Sequence, residues 1–237
     1  KDDRVAAPAT AIHGHHLPPS RTGHQFAEQG YRAARPQIKQ RHRSRPRQGC
    51  DLGPKGAFPF RRLVPDHRLC DAAVPPDNDQ GENGHSLGYL LSLGAFQFLN
   101  LGDLTPDREY ALACPENRLG VVDLWQVPHH GGYGAIRPEL AGALAPTVAV
   151  INNGPRKGGT PESLAVAQRT ASIGDVWQSH HALAENAANN TDELLIANLS
   201  EEDDCEGHWI KATVQPDGRR WTMTNGRTGY SRNYESM

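Results

Sequence analysis

Residues 86–105 read SLGYLLSLGAFQFLNLGDLT, and this stretch decides the fold. Two apolar segments, residues 87–93 and 96–101, are typical of β-strands, and the Gly-Ala pair between them predicts a tight hairpin. The second strand runs into Gly102-Asp103, so that one carboxylate stands at a strand tip where the backbone turns. A side chain held at a strand end is rigid, and a metal site requires rigid ligands. Alone, a Gly-Asp pair after a strand also fits an ordinary turn.

Beyond this hairpin, strands alternate with helices, and strands alone close the chain. A helical pattern over residues 137–144 stops at Pro146, and Thr160-Pro161 is a typical helix start. The predicted strands are residues 121–127, 147–151 and 175–178, followed by closing antiparallel strands at residues 194–199, 209–215 and 220–224. This order predicts a mixed α/β domain built of layers.

A histidine pair follows the next buried strand along the chain. Residues 127–132 read VPHHGG, and His129 lies 26 residues beyond Asp103. Imidazoles at a strand end can ligate zinc, and the glycines let the backbone pass close by. His129 and His130 are therefore candidate partners of Asp103.

Two further segments carry candidate ligands. His85, in the sequence NGHSLG, lies 18 residues before Asp103 at the entrance of the hairpin, and a surface turn histidine is the alternative. Near the start of the chain, AIHGHH has the spacing that puts two imidazoles on one side of an extended segment. The alternative there is a solvated histidine-rich loop. The histidines of this second segment are His13, His15 and His16.

Taken together, these motifs resemble the metallo-β-lactamase superfamily, and in particular the hydrolase domain related to DNA-uptake competence proteins. In that branch, a strand ending Gly-Asp precedes a strand ending His-His-Gly, as it does here. The resemblance covers about residues 70–234. Its pieces are ENGHSLG (82–88), FLNLGDLT (98–105), VPHHGG (127–132), NNGPRKGGTPE (152–162), VWQSHH (176–181) and WTMTNGRTGYS (221–231).

The resemblance implies an αββα sandwich that holds one or two zinc ions at the sheet edges. Asp103 would bridge the metals, and His129 or His130 would be a ligand or would contact the transition state. The metal would lower the pKa of bound water to about 7, which gives a hydroxide nucleophile for an ester or a phosphodiester. The remaining implied metal ligands are His13, His15, His16 and His85, and further candidate site residues are His180, Asn153 and Lys157.

The chain departs from the family pattern in its first seventy residues. The family signature is H-x-H-x-D-H followed by glycines, but residues 13–18 contain no Asp and Pro19 follows. Only twelve residues precede His13, so part of the N-terminal sheet is expected to be absent. Many family members also place a late His-Pro pair where this chain has Thr160-Pro161.

Charge divides the chain at the same point. Residues 1–70 hold 14 Lys and Arg against 5 Asp and Glu, a net charge of +9, whereas residues 71–237 hold 11 against 22, a net charge of −11. The first segment is basic and proline-rich and is predicted to be poorly ordered or degenerate; the second is the metallo-β-lactamase-like domain. The run KQRHRSRPR at residues 39–47 could contact nucleic acid, although few aromatic residues accompany it.

Compartment and redox state stay open at this stage. No stretch approaches the roughly 20 apolar residues that a membrane crossing needs, and no signal peptide opens the chain. The sequence therefore predicts a soluble protein, either cytoplasmic or exported, without a membrane partner. The four cysteines lack C-x-x-C spacing; Cys70 and Cys114 could form a disulfide or remain free thiols.

The sequence leaves three hypotheses. The first is an enzyme, a zinc-dependent hydrolase that uses metal-activated water on a small-molecule ester or phosphodiester, whether intact or impaired by its departures from the signature. The second is a non-catalytic nucleic-acid-binding module on the same fold, which uses the basic run. The third is a truncated or frameshifted product, in which residues 1–70 are not native coding sequence.

Overall fold

The parallel β-strands of this protein end at one common edge, and that edge carries the candidate site. The computed structural model describes residues 67–132, 134–183, 189–201 and 207–237. The N-terminal histidines (His13, His15 and His16) and the basic run at residues 39–47 lie outside the described residues.

Within the described ranges, six strands form the main sheet, in the same order as they occur in the chain. β1 is antiparallel to β2, and every later neighbour in this sheet pairs in parallel. The carboxyl ends of the strands from β2 onward therefore lie along one edge. The strands are β1 (Tyr89–Leu93), β2 (Phe96–Asn100), β3 (Leu124–Gln126), β4 (Val148–Ile151), β5 (Asp175–His180) and β6 (Ile196–Asn198).

Helices cover one face of this sheet. Three of them begin with proline, whose fixed φ suits the first helical turn and whose missing N–H would have no partner there. Short 3-10 turns lie at Glu82–His85, Pro128–Gly131 and Glu193–Leu195. The helices are α1 (His67–Ala72), α2 (Pro106–Ala113), α3 (Pro138–Leu144) and α4 (Pro161–Arg169).

A three-stranded antiparallel sheet covers the other face. Its strands are β7 (Ile210–Val214), β8 (Arg220–Asn225) and β9 (Ser231–Glu235). Successive residues of the main sheet face opposite layers, as the two-residue period of a strand requires: Trp125 joins the helical core and Leu124 the core between the sheets. Both faces of β2, β3 and β4 are therefore buried, which accounts for their apolar residues, whereas β1 at the edge of the sheet is mostly exposed.

Aromatic rings and a polar contact fix the two sheets together. Phe96 meets the Trp221 ring edge to face, with the ring centroids 5.2 Å apart. The Trp177 indole N–H donates to the Tyr234 hydroxyl at 3.1 Å, and that hydroxyl donates to Asp175 at 2.8 Å. Burial raises the pKa of the Tyr234 hydroxyl, so it stays protonated and remains a donor to Asp175.

The α/β content and the hairpin confirm the sequence prediction, but one strand assignment is wrong. Residues 194–199 group with the closing antiparallel strands by sequence pattern, whereas the observed β6 pairs in parallel with β5 in the main sheet. The residue pattern of a short strand contains no information about its direction. The polar β9 has no counterpart among the predicted strands, because only Tyr234 in it is buried.

A disulfide joins Cys70 of α1 to Cys114 at the end of α2, with the Cα atoms 5.6 Å apart. The sequence was compatible with either a disulfide or two free thiols at this pair, and the structure has the disulfide. None of the helices in the described ranges has the length and apolar content that a membrane crossing requires.

Glu109 on α2 is a fully buried acid. Its Oε2 atom accepts the Arg137 backbone N–H at 3.2 Å, and its Oε1 atom has no hydrogen-bond partner among the described residues. Burial raises the pKa of Glu109 to about 8, and the neighbouring Arg137 counteracts only part of this effect. The carboxyl is therefore neutral in the folded protein at pH 7.

We expect the double substitution Cys70→Ala, Cys114→Ala to lower the free energy of unfolding by about 2–4 kcal/mol, because the cross-link closes a loop of 44 residues. Urea denaturation monitored by circular dichroism measures the difference. As a control, reductant should bring the wild-type midpoint down to that of the variant and leave the variant unchanged. Equal midpoints under oxidising conditions would contradict a stabilising disulfide.

We expect stability to fall as pH rises between about 5 and 8, and Glu109→Gln to remove much of that fall. The folded carboxyl holds its proton up to about pH 8 but the unfolded one only to about 4.5, so in this window the native state binds more protons. The effect is on the order of a few kcal/mol at pH 8. Urea titrations at pH 5 and 8 measure it, with the exposed Glu162→Gln as control. An unchanged pH dependence in Glu109→Gln would refute this account.

Candidate functional site

The site lies where the loops after β2, β3 and β4 meet. Asp103 follows β2, the His129-His130 pair follows β3, and Asn152 follows β4. Ligands in open α/β sheets bind outside the carboxyl ends of the strands, and these loops occupy that position.

The loop after β2 is fixed before it reaches Asp103. The Asn100 side chain accepts the Gly102 backbone N–H at 2.7 Å, which closes a tight turn directly after the strand. Gly102 has φ +60° and packs against Ser86, where a Cβ atom would approach the serine Cβ to 3.3 Å. Glycine meets both requirements because it has no side chain. The carboxylate of Asp103 therefore starts from a rigid turn and remains partly exposed, at 38%.

The histidine pair adopts a backbone conformation that is rare for its residue types. His129 has φ 49° and ψ 38°, His130 has φ 56° and ψ 18°, and Gly131 continues with φ 65°. The left-handed conformation costs roughly 1–2 kcal/mol for each residue that carries a Cβ atom. Strain of this kind persists only where the surroundings impose it, and it concentrates at functional sites.

Backbone hydrogen bonds from both neighbouring loops impose this conformation. The His129 N–H donates to the Gly102 carbonyl at 3.0 Å, which joins the β3 loop to the β2 loop. On the other side, the Gly159 N–H donates to the His130 carbonyl at 2.9 Å, and the Thr160 N–H donates to the Gly131 carbonyl at 2.9 Å. The left-handed turn is thus clamped between the loops after β2 and β4.

The clamp brings His130 and Asp103 together. The Nε2 atom of His130 lies 3.5 Å from Oδ1 of Asp103, and its Nδ1 atom lies 3.1 Å from the Asn152 carbonyl oxygen. A carbonyl only accepts hydrogen bonds, so Nδ1 carries the hydrogen and donates to it. In the neutral ring, Nε2 then has a free lone pair beside the carboxylate. A second partner that fixes the ring in this way is common for histidines that ligate metals.

The ring of His129 contacts a different residue, Asn83. Its Nε2 atom lies 3.5 Å from the side-chain nitrogen of Asn83, a contact at the outer limit of a hydrogen bond. Asn83 belongs to the same NGHSLG segment as His85, two residues earlier, and in that segment only the histidine was predicted as a site residue. His85 is exposed in the 3-10 turn at Glu82–His85. Within the described ranges, no group of three or more His, Cys, Asp or Glu side chains could hold a metal ion.

Asn153 and Lys157 lie in the loop that clamps His130. The buried Asn153 side chain donates to the His180 carbonyl at 2.7 Å and packs against Gly159. It therefore positions the loop and ties it to β5. Lys157 is exposed and precedes Gly158, where a Cβ atom would overlap the His130 carbonyl oxygen.

His180 lies apart from this contact, at the end of β5. The residue is 2% exposed, with Nδ1 2.7 Å from the His181 carbonyl oxygen and Nε2 3.2 Å from that of Ser200. Both ring nitrogens therefore face backbone acceptors. The His180 ring therefore links the end of β5 to the residues that follow β6.

The chain matches no protein-family model, and no curated protein matches it.

We expect Gly158→Ala to destabilise the protein by at least about 2 kcal/mol more than Gly229→Ala, because the new methyl group must displace the His130 carbonyl. Gly229 is a matched control: its φ of +71° is close to the +75° of Gly158, but nothing lies within 4 Å of its added Cβ atom. Urea denaturation of both variants gives the comparison. Equal losses would show that the clamp around His130 tolerates displacement.

Proposed function

We propose that this chain is a zinc-dependent hydrolase of the metallo-β-lactamase type, with Asp103 and His130 in its metal site. The observation that carries the proposal is the 3.5 Å separation between the His130 Nε2 and Asp103 Oδ1 atoms, with Nδ1 held by a backbone carbonyl. The layered α/β architecture, with this pair at the carboxyl edge of its parallel strands, is compatible with an αββα sandwich.

The spacing of the two atoms fits a shared cation. Zinc binds imidazole nitrogen and carboxylate oxygen at about 2.0–2.2 Å, so two ligands of a tetrahedral ion lie about 3.4 Å apart. Both atoms are acceptors when the ring is neutral, and a cation between them would then satisfy both. A metal ion between Nε2 and Oδ1 would accept a lone pair from each of these atoms. Their 3.5 Å separation supports this arrangement.

The described residues supply two donors, and a structural or catalytic zinc site uses three or four. We propose that the remaining donors come from the histidines at positions 13, 15 and 16, with His85 as a further candidate. His129 lies next to His130 on the strained turn, and we assign it to contact the reacting group.

The proposed hydrolysis depends on the charge of the metal and on the exposure of its two ligands. A zinc ion held here would act as a Lewis acid and would lower the pKa of bound water to about 7. His130 is fixed in tautomer and orientation through Asn152, and Asp103 is held on a tight turn, so neither side chain must be ordered when substrate arrives. Both are partly exposed, at 22% and 38%, which leaves room for an ester or phosphodiester.

We expect the intact chain to carry one or two equivalents of zinc and to hydrolyse bis(p-nitrophenyl) phosphate in a reaction that a chelator abolishes. Asp103→Asn and His130→Gln should each lower zinc affinity and hydrolysis by at least about 100-fold, the upper end of what substitutions around a metal cause. Elemental analysis after dialysis and release of nitrophenolate measure the two effects.

The matched control is His208→Gln, which removes an exposed histidine outside the site and should leave the zinc content and the rate unchanged. A metal-free chain that hydrolyses neither this substrate nor p-nitrophenyl acetate would exclude the proposed function. A loss of zinc in His208→Gln equal to that in His130→Gln would remove the assignment of the site.

A further inference from the structure

The two edges of the main sheet differ in how well they are protected. At one edge, β6 is buried along its whole length. The Asn225 side chain donates to the Ile196 carbonyl at 2.8 Å, and the Arg227 guanidinium donates to the same oxygen at 3.2 Å. The Asn225 side chain also donates to the Leu194 carbonyl at 3.0 Å, just before β6. Side chains thus occupy backbone acceptors at this edge and close it to a further strand.

The opposite edge, β1, is exposed. β1 pairs with β2 over five residues in an unbroken register, and within the described ranges no strand pairs with its other side. Its large side chains are apolar and reach solvent: the exposed fraction is 48% for Tyr89, 39% for Leu90 and 49% for Leu91. A regular edge strand with exposed apolar side chains is a template for pairing with another strand.

Charge does not protect this edge either. Residues 86–102 contain no Asp, Glu, Lys, Arg, His or Pro, although charged side chains and proline are what usually keeps an edge strand from pairing. The whole chain has a formal net charge of −2, so two copies repel each other only weakly. The local composition and the overall charge therefore both favour association between copies of this chain.

The sequence of β1 is complementary to itself. In an antiparallel pair of two copies about a two-fold axis at Leu91, this leucine faces its own counterpart and Tyr89 faces Leu93. Because side chains alternate along a strand, these three residues share one face of β1. The register places Leu91 beside Phe98, which belongs to the core between the sheets, so this face continues that core. Apolar side chains directly opposite each other stabilise neighbouring strands.

We propose that β1 is a dimer interface, at which the main sheets of two copies of this chain join into one continuous sheet. The two-fold axis makes the contact isologous, and the protected β6 edge at each end prevents growth into a fibre. One five-residue strand offers less area than the roughly 800 Å² per partner of a standard interface, so the dimer is weak and depends on concentration. The inference is independent of the proposed function of the Asp103–His130 pair.

The test measures the mass of the intact chain by analytical ultracentrifugation across the micromolar range. Alkylation of the cysteines under non-reducing conditions prevents disulfide-linked dimers. The wild type is compared with Leu91→Lys, with Leu91→Glu and with an equimolar mixture of these two variants. Leu194→Lys is the matched control, because Leu194 is exposed to a similar extent, at 46%, and lies outside β1.

We expect Leu91→Lys and Leu91→Glu each to raise the Kd of the dimer at least about tenfold, which corresponds to about 1.4 kcal/mol. Like charges then face each other across the two-fold axis, and like charges directly opposite destabilise a strand pair. The mixture should recover the dimer, since opposite charges then face each other, whereas two variants that merely unfold would not recover on mixing. Leu194→Lys should remain within about twofold of the wild type.

Hydrogen exchange distinguishes a second copy from other occupants of this edge. In the wild type, protection of the amides of residues 89–93 should increase with protein concentration, and in Leu91→Lys it should not. A chain that stays monomeric across the range overturns the proposal, and concentration-independent protection of these amides would then assign the edge to another segment of the same chain. A dimer that Leu194→Lys weakens as much as Leu91→Lys, or that the mixture fails to restore, overturns it as well.

Discussion

The left-handed turn at His129 and His130 depends on two backbone hydrogen bonds, and the rest of the site depends on that turn. One bond runs to the Gly102 carbonyl and the other comes from the Gly159 N–H, so the turn is held from the loops on both sides. Each left-handed histidine costs roughly 1–2 kcal/mol relative to an ordinary conformation. A β3 loop without this clamp would relax, and the His130 ring would lose its position beside Asp103.

The layers of the fold make such a clamp available. Helices on one face and a second sheet on the other bury the strands from β2 to β6, so these strands can run in parallel and end together. Loops that leave neighbouring parallel strands start about 4.8 Å apart, which is close enough for direct backbone contact. Gly158 permits that contact, since a Cβ atom there would overlap the His130 carbonyl oxygen.

The sequence predicted the parts of the site that depend on local pattern and missed those that depend on direction and packing. The hairpin and the ends of its second strand follow from apolar runs and a Gly-Asp pair, so Asp103 could be placed in advance. The parallel direction of β6 could not, because it depends on the crossover rather than on the residues of the strand. Asn83 was missed although its segment was singled out: its contact with His129 joins residues 46 positions apart.

A histidine at the carboxyl edge of the main sheet does not always have a ring nitrogen available for a ligand. The histidines at this edge differ in this respect. His180 ends its strand as His129 and His130 follow theirs, but both of its ring nitrogens face backbone carbonyls, so the ring serves as a structural link. In His130 the backbone makes the structural contact, since the His130 carbonyl accepts a hydrogen bond from the Gly159 N–H. Only one ring nitrogen of His130, Nδ1, faces a backbone carbonyl, that of Asn152. The other nitrogen is left to face Asp103. A strained main chain that carries the structural contacts thus leaves this ring nitrogen beside the Asp103 carboxylate instead of on a backbone carbonyl.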